Sequence, residues 1–207
     1  MELLHAVATG FVPSLCAACG RSCRPRAVVC TRCNRRLAAA DPVLGAGPQG
    51  LDRVWSSAAH EGVARDLVTA LKFRRLLPVA DLMADRIQWL APANMLSGAI
   101  VPVPTASLRT MKRGFDPAAE LAMALADRLD APFHNCLVRR GGGRQLGKRR
   151  ADRIGHPPDI HPRGKVPRSI LLIDDVLTTG ATLSACARAL RQAGAVRVVA
   201  ITFARRL

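Results

Sequence analysis

The chain has 207 residues, 49% of them hydrophobic, which suits one ordinary domain with a small appendage and excludes disorder throughout. Its formal charge of +16 favours polyanions such as phosphate, pyrophosphate or nucleic acid, although a solvated basic face needs no partner. There is no Tyr, and the Phe and Trp residues are scattered, which argues against an aromatic platform for stacking bases.

No apolar run reaches the roughly 18 residues of a transmembrane helix. The longest candidate, 67–90, is interrupted by Lys72, Arg74, Arg75 and Pro78, so no membrane insertion is expected. Glu2 and His5 stand where a secretory leader would be basic. A cytoplasmic location is therefore expected, where clustered thiols are more often metal ligands than disulfides.

Residues 1–45 hold five of the seven cysteines. Cys16 and Cys19 form one C-x-x-C pair and Cys30 and Cys33 a second, ten residues further on. Each pair can grip an ion from a tight turn, and four thiolates make a closed, structural zinc site. Binding removes four thiol protons and adds a divalent ion, so the formal charge falls from +16 to +14. Cys23 is a spare that can replace a ligand, and disulfides are the alternative use of the set. The expected division is a zinc-ribbon-like segment over 1–45 and an α/β domain over 46–207.

In that second part, Val63, Leu67, Val68 and Leu71 share one face of a helix. Val79, Leu82, Met83, Ile87 and Leu90 mark another, opened by Pro78. Residues 99–103 form a short buried strand. Asp116 followed by Pro117 is a helix start, with Ala118, Leu121, Leu125 and Leu129 as its apolar face. Residues 133–138 read as a strand, and 139–168 are rich in Gly, Pro and Arg. Residues 169–173 form a strand apolar on both faces, followed by a helix on Leu183, Cys186, Ala187 and Leu190, a stop at Gly194, and a final strand over 196–203. Strands alternating with helices predict a mainly parallel sheet, with ligands beyond the carboxyl ends of its strands.

The most informative stretch follows the strand at 169–173. Asp174 and Asp175 end it, and Thr178, Thr179, Gly180, Ala181 and Thr182 lead into the helix. Free backbone N–H groups at a helix start, together with the helix dipole, attract a phosphate. The threonines add hydroxyl donors, Gly180 permits close approach, and the two acids can accept hydrogen bonds from sugar hydroxyls. A plain helix cap would explain one such residue, not two acids and three threonines around one glycine.

These residues resemble the signature of the type I phosphoribosyltransferases, which bind phosphoribosyl pyrophosphate (PRPP) with Mg²⁺. The resemblance implies that Asp174 and Asp175 hold the ribose hydroxyls and act as the catalytic pair. It implies that Thr178, Thr179, Gly180, Ala181 and Thr182 hold the 5-phosphate. The implied reaction displaces pyrophosphate from ribose C1 by a nitrogen nucleophile. Arg109, Lys112 and Arg113 are candidates to clamp the pyrophosphate, with solvated surface charge as the alternative.

The four-cysteine segment before this turn makes the chain similar to the ComF family of DNA uptake and natural transformation. Leu71-Lys72-Phe73, Val101-Pro102-Val103-Pro104 and Arg113-Gly114-Phe115 belong to that resemblance. So does a mobile active-site loop with Gln145, Arg149 and Arg153, which otherwise reads as a basic linker. The family usually continues Arg-Gly-Phe with Asn-Gln, where this chain has Asp116-Pro117. The resemblance implies a Mg²⁺-dependent phosphoribosyltransferase with an unidentified acceptor. The alternative is a non-catalytic sensor of PRPP or a nucleotide that binds single-stranded DNA or a DNA-uptake helicase.

Overall fold

The computed structural model describes residues 14–45, 47–105, 114–140 and 158–207. Its first element is a small antiparallel hairpin, β1 (Ser14–Leu15) with β2 (Ser22–Cys23), followed by α1 (Thr31–Ala38). The main sheet contains β3 (Val43–Gly45), β4 (Arg53–Ala59), β5 (Ala99–Pro102), β8 (Ser169–Leu177) and β9 (Arg197–Arg205). Its spatial order is β3-β4-β9-β8-β5; only the edge strand β3 runs antiparallel to its neighbour. The expected α/β class and mainly parallel sheet are therefore observed.

Helices α2 (Gly62–Arg74), α3 (Pro78–Leu90) and α4 (Pro117–Leu129) cover one face. Helix α5 (Ala181–Gln192) and a hairpin of β6 (Leu137–Arg140) and β7 (Asp159–Pro162) cover the other. Strand alternation divides the core accordingly: Leu171 and Ile173 pack with the first group, Ile170 and Leu172 with the second. Both faces of β8 are thus buried, which is why its sequence shows no polar alternation.

Local chemistry sets the helix ends. Asp116 caps α4 by accepting a bond from the Ala118 amide at 3.0 Å, and Pro117 supplies the first turn. Asp116 also accepts from the Thr105 hydroxyl at 2.9 Å, so the same side chain ties the end of the β5 segment to the start of α4. Helix α2 ends with Arg75 in the left-handed conformation, φ 51°.

The chain leaves β5 for α4 on one face and leaves β8 for α5 on the other. Adjacent parallel strands whose connections diverge open a crevice at their carboxyl ends. Asp174 and Asp175 stand there. Contrary to the sequence reading, β8 continues through both acids to Leu177 instead of ending at Ile173. Residue 133 makes only an isolated bridge to Ile100, and the strand begins later, at Leu137. Among the described residues, no helix is long and apolar enough to cross a membrane.

Candidate functional site

Successive strand residues point to opposite faces, and this separates the two acids. Asp175 turns toward α2 and is 3% exposed. One of its oxygens, Oδ1, lies 2.8 Å from Lys72 Nζ. Its Oδ2 is buried and has no hydrogen-bond partner among the described residues. Asp174 is half-buried and accepts a bond from the Asp175 amide at 2.9 Å. Burial, then the negative charge of Asp175, pushes Asp174 well above the ordinary carboxylate range. Beyond β4, His60 donates its amide to Arg205 O at 2.7 Å. Burial and the Lys72 charge hold its imidazole below the usual value.

The turn after β8 brings the remaining signature residues to the start of α5. Thr178, Thr179 and Ala181 are exposed and Thr182 is half-buried. The Ala181 amide makes a long bond of 3.5 Å to Thr179 Oγ1, and the first helical bond recorded there runs from the Ser184 amide to Gly180 O, so among the described residues the Thr182 and Leu183 amides are left to donate to an anion. Gly180 is needed for two reasons. Its φ is +77°, and a Cβ would stand 2.9 Å from Pro48 Cβ and closer still to Cγ. Gly180→Ala therefore costs about 1–2 kcal/mol in backbone strain and about 1–3 kcal/mol in overpacking against a rigid ring. Urea denaturation should show a loss of about 2–5 kcal/mol; a change below about 0.5 kcal/mol would refute this account of the turn.

The pyrophosphate candidates Arg109, Lys112 and Arg113 lie outside the described residues, as do Gln145, Arg149 and Arg153. The structure does describe the flanks of segment 106–113, which Asp116 joins through its bonds to Thr105. Sequence reasoning did not identify Lys72 as the partner of Asp175. It noted Lys72 only as a break in the apolar run 67–90 and within a family resemblance. A signal was present: Lys72 lies four residues after Val68, on the margin of a helical face whose Leu67, Val68 and Leu71 are buried. His60 had no local signal, because β4 itself was not anticipated.

A cavity of about 660 Å³ lies at the opposite end of the strands, beside Ala99 and Ser169, and neither acid lines it.

The four cysteines form the second centre. The Sγ atoms of Cys16, Cys19, Cys30 and Cys33 all lie within 4.8 Å of one another, and those of Cys19 and Cys30 are 3.8 Å apart. Tetrahedral zinc with bonds of about 2.3 Å spaces its sulfurs by about 3.8 Å. The cluster can therefore hold a metal ion such as zinc. Burial opposes ionisation of Cys16, but hydrogen bonds from the backbone of Cys19, Cys30 and Ala18 outweigh it and lower the thiol to about 6. Burial, then the neighbouring thiols, pushes Cys33 up, as expected when four thiols cannot all ionise without a cation. Cys23 is engaged elsewhere, its Sγ donating to Ser14 O at 3.1 Å. Cys136 and Cys186 are buried in the core.

No protein-family model matches the chain. Among curated proteins, it is 36% identical over 97 residues to the competence protein ComFC of Bacillus subtilis, covering 46% of this chain and 39% of that protein. It is 34% identical over 127 residues to competence protein F of Haemophilus influenzae, covering 58% and 54%. The DNA utilization protein YhgH of Salmonella typhimurium matches at 28% identity over 89% of this chain and 87% of its own. The first of these matches thus spans well under half of the Bacillus protein.

Two similar solved structures are orotate phosphoribosyltransferase from Aeropyrum pernix and an allosteric regulatory enzyme of purine biosynthesis. The former has a TM-score of 0.40 or less, at 0.38, with 21% identity and 63% coverage of both chains. The latter has a TM-score of 0.40, with 18% identity, covering 59% of this chain and 24% of that one. At these scores the superpositions are too slight to carry an argument. In sequence, the chain is similar to the curated competence proteins ComFC and F and to the DNA utilization protein YhgH.

Proposed function

We propose that this chain is a phosphoribosyltransferase-like protein that binds PRPP with Mg²⁺ and transfers its phosphoribosyl group to a nitrogen acceptor. The observation that carries the proposal is Asp175 Oδ2, a buried carboxylate oxygen with no partner among the described residues, at the carboxyl end of β8. A group that costs this much to bury unpaired is explained by a missing donor, such as a sugar hydroxyl or a metal-bound water. The amides at the start of α5, with Thr178, Thr179 and Thr182, supply a phosphate cradle next to it.

In this reading, Asp174 and Asp175 hold the ribose hydroxyls, while Thr178, Thr179, Gly180, Ala181 and Thr182 fix the 5-phosphate. Holding the ribose at both ends orients C1 toward the acceptor, so that positioning replaces a chance encounter. Pyrophosphate leaves as the C1–O bond breaks and a C1–N bond forms. Arg109, Lys112 and Arg113 face the departing charge, and the loop bearing Gln145, Arg149 and Arg153 excludes water. The two aspartates would hold Mg²⁺ through its waters, and the ion would neutralise charge on the diphosphate. Residues 46–207 form the ligand-binding part.

Residues 1–45, apart from the edge strand β3 that joins the main sheet, form the zinc-held part of the same proposal. The names of the relatives support a setting in competence and DNA utilization, and we extend that setting, in the cytoplasm, to this chain. A nucleic-acid contact is supported by Arg21, Arg24, Arg26, Arg32, Arg35 and Arg36, all exposed on the cysteine unit. A helicase-like partner in DNA uptake is compatible with the same surface.

The test is calorimetry of the metal-loaded chain with PRPP, with and without Mg²⁺. Saturable binding that requires Mg²⁺ supports the proposal. No binding by a folded, metal-loaded chain refutes it and favours the DNA-binding adaptor.

A further inference from the structure

We infer that Lys72 is a positioning residue of the acid pair: its ammonium holds Asp175 Oδ1 so that Oδ2 is presented to the ligand. This inference rests on the reading of Asp174 and Asp175 as ligand-binding residues. It assigns a part in that site to a helix whose sequence shows no catalytic motif.

Three observations support it. Lys72 Nζ lies 2.8 Å from Asp175 Oδ1, with the two side chains 24% and 4% exposed. The second oxygen of the same carboxylate is buried and unpartnered among the described residues. A carboxylate with one oxygen engaged and the other bare has a fixed orientation and a reserved acceptor. Desolvation largely cancels the attraction in a buried ion pair, so such a pair is weak evidence for stability alone. An apolar residue would let α2 pack as well, and orientation of Asp175 is what the lysine adds.

The third observation is that the lysine is itself held in place. Two residues further along α2, Arg74 Nη1 donates to Ala17 O at 2.9 Å, inside the first cysteine pair. Arg75 ends the helix and stacks its guanidinium 5.7 Å from the centre of the Phe115 ring, just before α4. The last turn of α2 is thus anchored to the cysteine unit on one side and to the flank of segment 106–113 on the other. Lys72 projects from this anchored turn to the acid.

The charged and titratable groups that bear on Asp175 are Lys72 on α2, Asp174 on β8 and His60 beyond β4; Arg65 on α2 and Arg206 beyond β9 act in turn on His60. Without Lys72, a buried carboxylate beside Asp174 takes up a proton, which the ligand must then expel. The Lys72→Met variant should therefore release about one more proton than wild type on binding Mg²⁺-PRPP. That count is read by calorimetry at one pH in buffers of different ionisation enthalpy. Its affinity should be at least about tenfold weaker at pH 6 than that of wild type, with the gap closing by about tenfold per pH unit as the pH rises. Lys72→Arg should restore most of the wild-type proton count, whereas a lysine that only packs would not change that count when removed. In an Asp175→Asn background, Lys72→Met should change proton release far less, through the weaker effect of the lysine's charge on Asp174 alone.

A ligand-free arm separates this inference from the function on which it rests. Lys72→Met should lose more stability at pH 8 than at pH 6, because the unpaired carboxylate ionises as the pH rises. Equal losses at both pH values, or an unchanged proton count, would overturn the inference. If wild type fails to bind Mg²⁺-PRPP, the proposed function falls. The ligand-free comparison then decides whether Lys72 governs Asp175.

Discussion

The double variant Asp174→Asn/Asp175→Asn should keep its fold and its metal but bind Mg²⁺-PRPP roughly 10²- to 10⁴-fold more weakly. Asn preserves side-chain shape and removes the charge. Each lost hydrogen bond to a charged acceptor costs about 1.5–3 kcal/mol, and each 1.4 kcal/mol is about tenfold in affinity. Stability should move the other way through Asp174. Its folded-state value is raised by burial and by Asp175. A raised acid favours the folded state below its unfolded value, and that contribution is lost as the pH rises through the folded value. Asp174→Asn alone should therefore be more stable than wild type on the alkaline side of that transition, with the gain vanishing in acid. Urea melts at pH 5 and pH 8 read the difference. The wild type should also bind ligand more tightly as Asp174 ionises, and this pH dependence should disappear in Asp174→Asn. Double-variant binding within about threefold of wild type would remove the acids from the site.

The parts of this molecule that were legible in the sequence are those whose signal is local. The helices α2, α3 and α4 declared themselves by apolar spacing and by Pro78 and Pro117, and they appear at Gly62–Arg74, Pro78–Leu90 and Pro117–Leu129. The cysteine spacing identified a cluster that the fold closes to within 4.8 Å. What escaped depends on tertiary partners. Strand β4 contains Ser56 and Ser57, which look like surface residues. Both are fully buried, because Ser56 Oγ pairs with Thr202 Oγ1 at 2.7 Å and Ser57 Oγ donates to Phe203 O at 2.6 Å. Strand β7 lies in a Pro-rich stretch and forms by pairing with β6. The β8 strand runs on through two aspartates because β9 continues beside it, with Asp174 opposite Thr202 and Leu177 opposite Arg205. The same limitation hid the asymmetry of the acids. Their adjacency suggested a matched pair, whereas the strand geometry gives Asp175 a direct ion pair with Lys72 and leaves Asp174 only the longer-range pull of that charge.

Stripping the metal should unfold the cysteine unit while the main sheet stays intact. The unit has little core of its own: between residues 14 and 40 the buried side chains are Cys16, Ala17, Cys33 and Leu37, and two of these four belong to the cluster that can hold a metal ion. Ala17 and Leu37 pack into the same core as α2 and α3, too little apolar surface to order this stretch against its conformational entropy. In zinc-finger peptides, metal binding contributes about 10–16 kcal/mol of apparent folding free energy. A unit that depends on such a term has nothing of similar size to replace it. Treatment with a strong chelator should therefore release one metal ion per chain. Hydrogen exchange over residues 14–40 should rise toward that of an unfolded segment, while β8 and β9 stay protected. Arg74 would lose its acceptor at Ala17 O, so faster exchange should extend into the last turn of α2, where Lys72 resides. Cys16→Ser should reproduce the effect without a chelator, because a serine hydroxyl is a poor zinc ligand beside three thiolates. Unchanged protection over residues 14–40 after complete metal release would mean that packing against α2, and not the ion, holds this unit together.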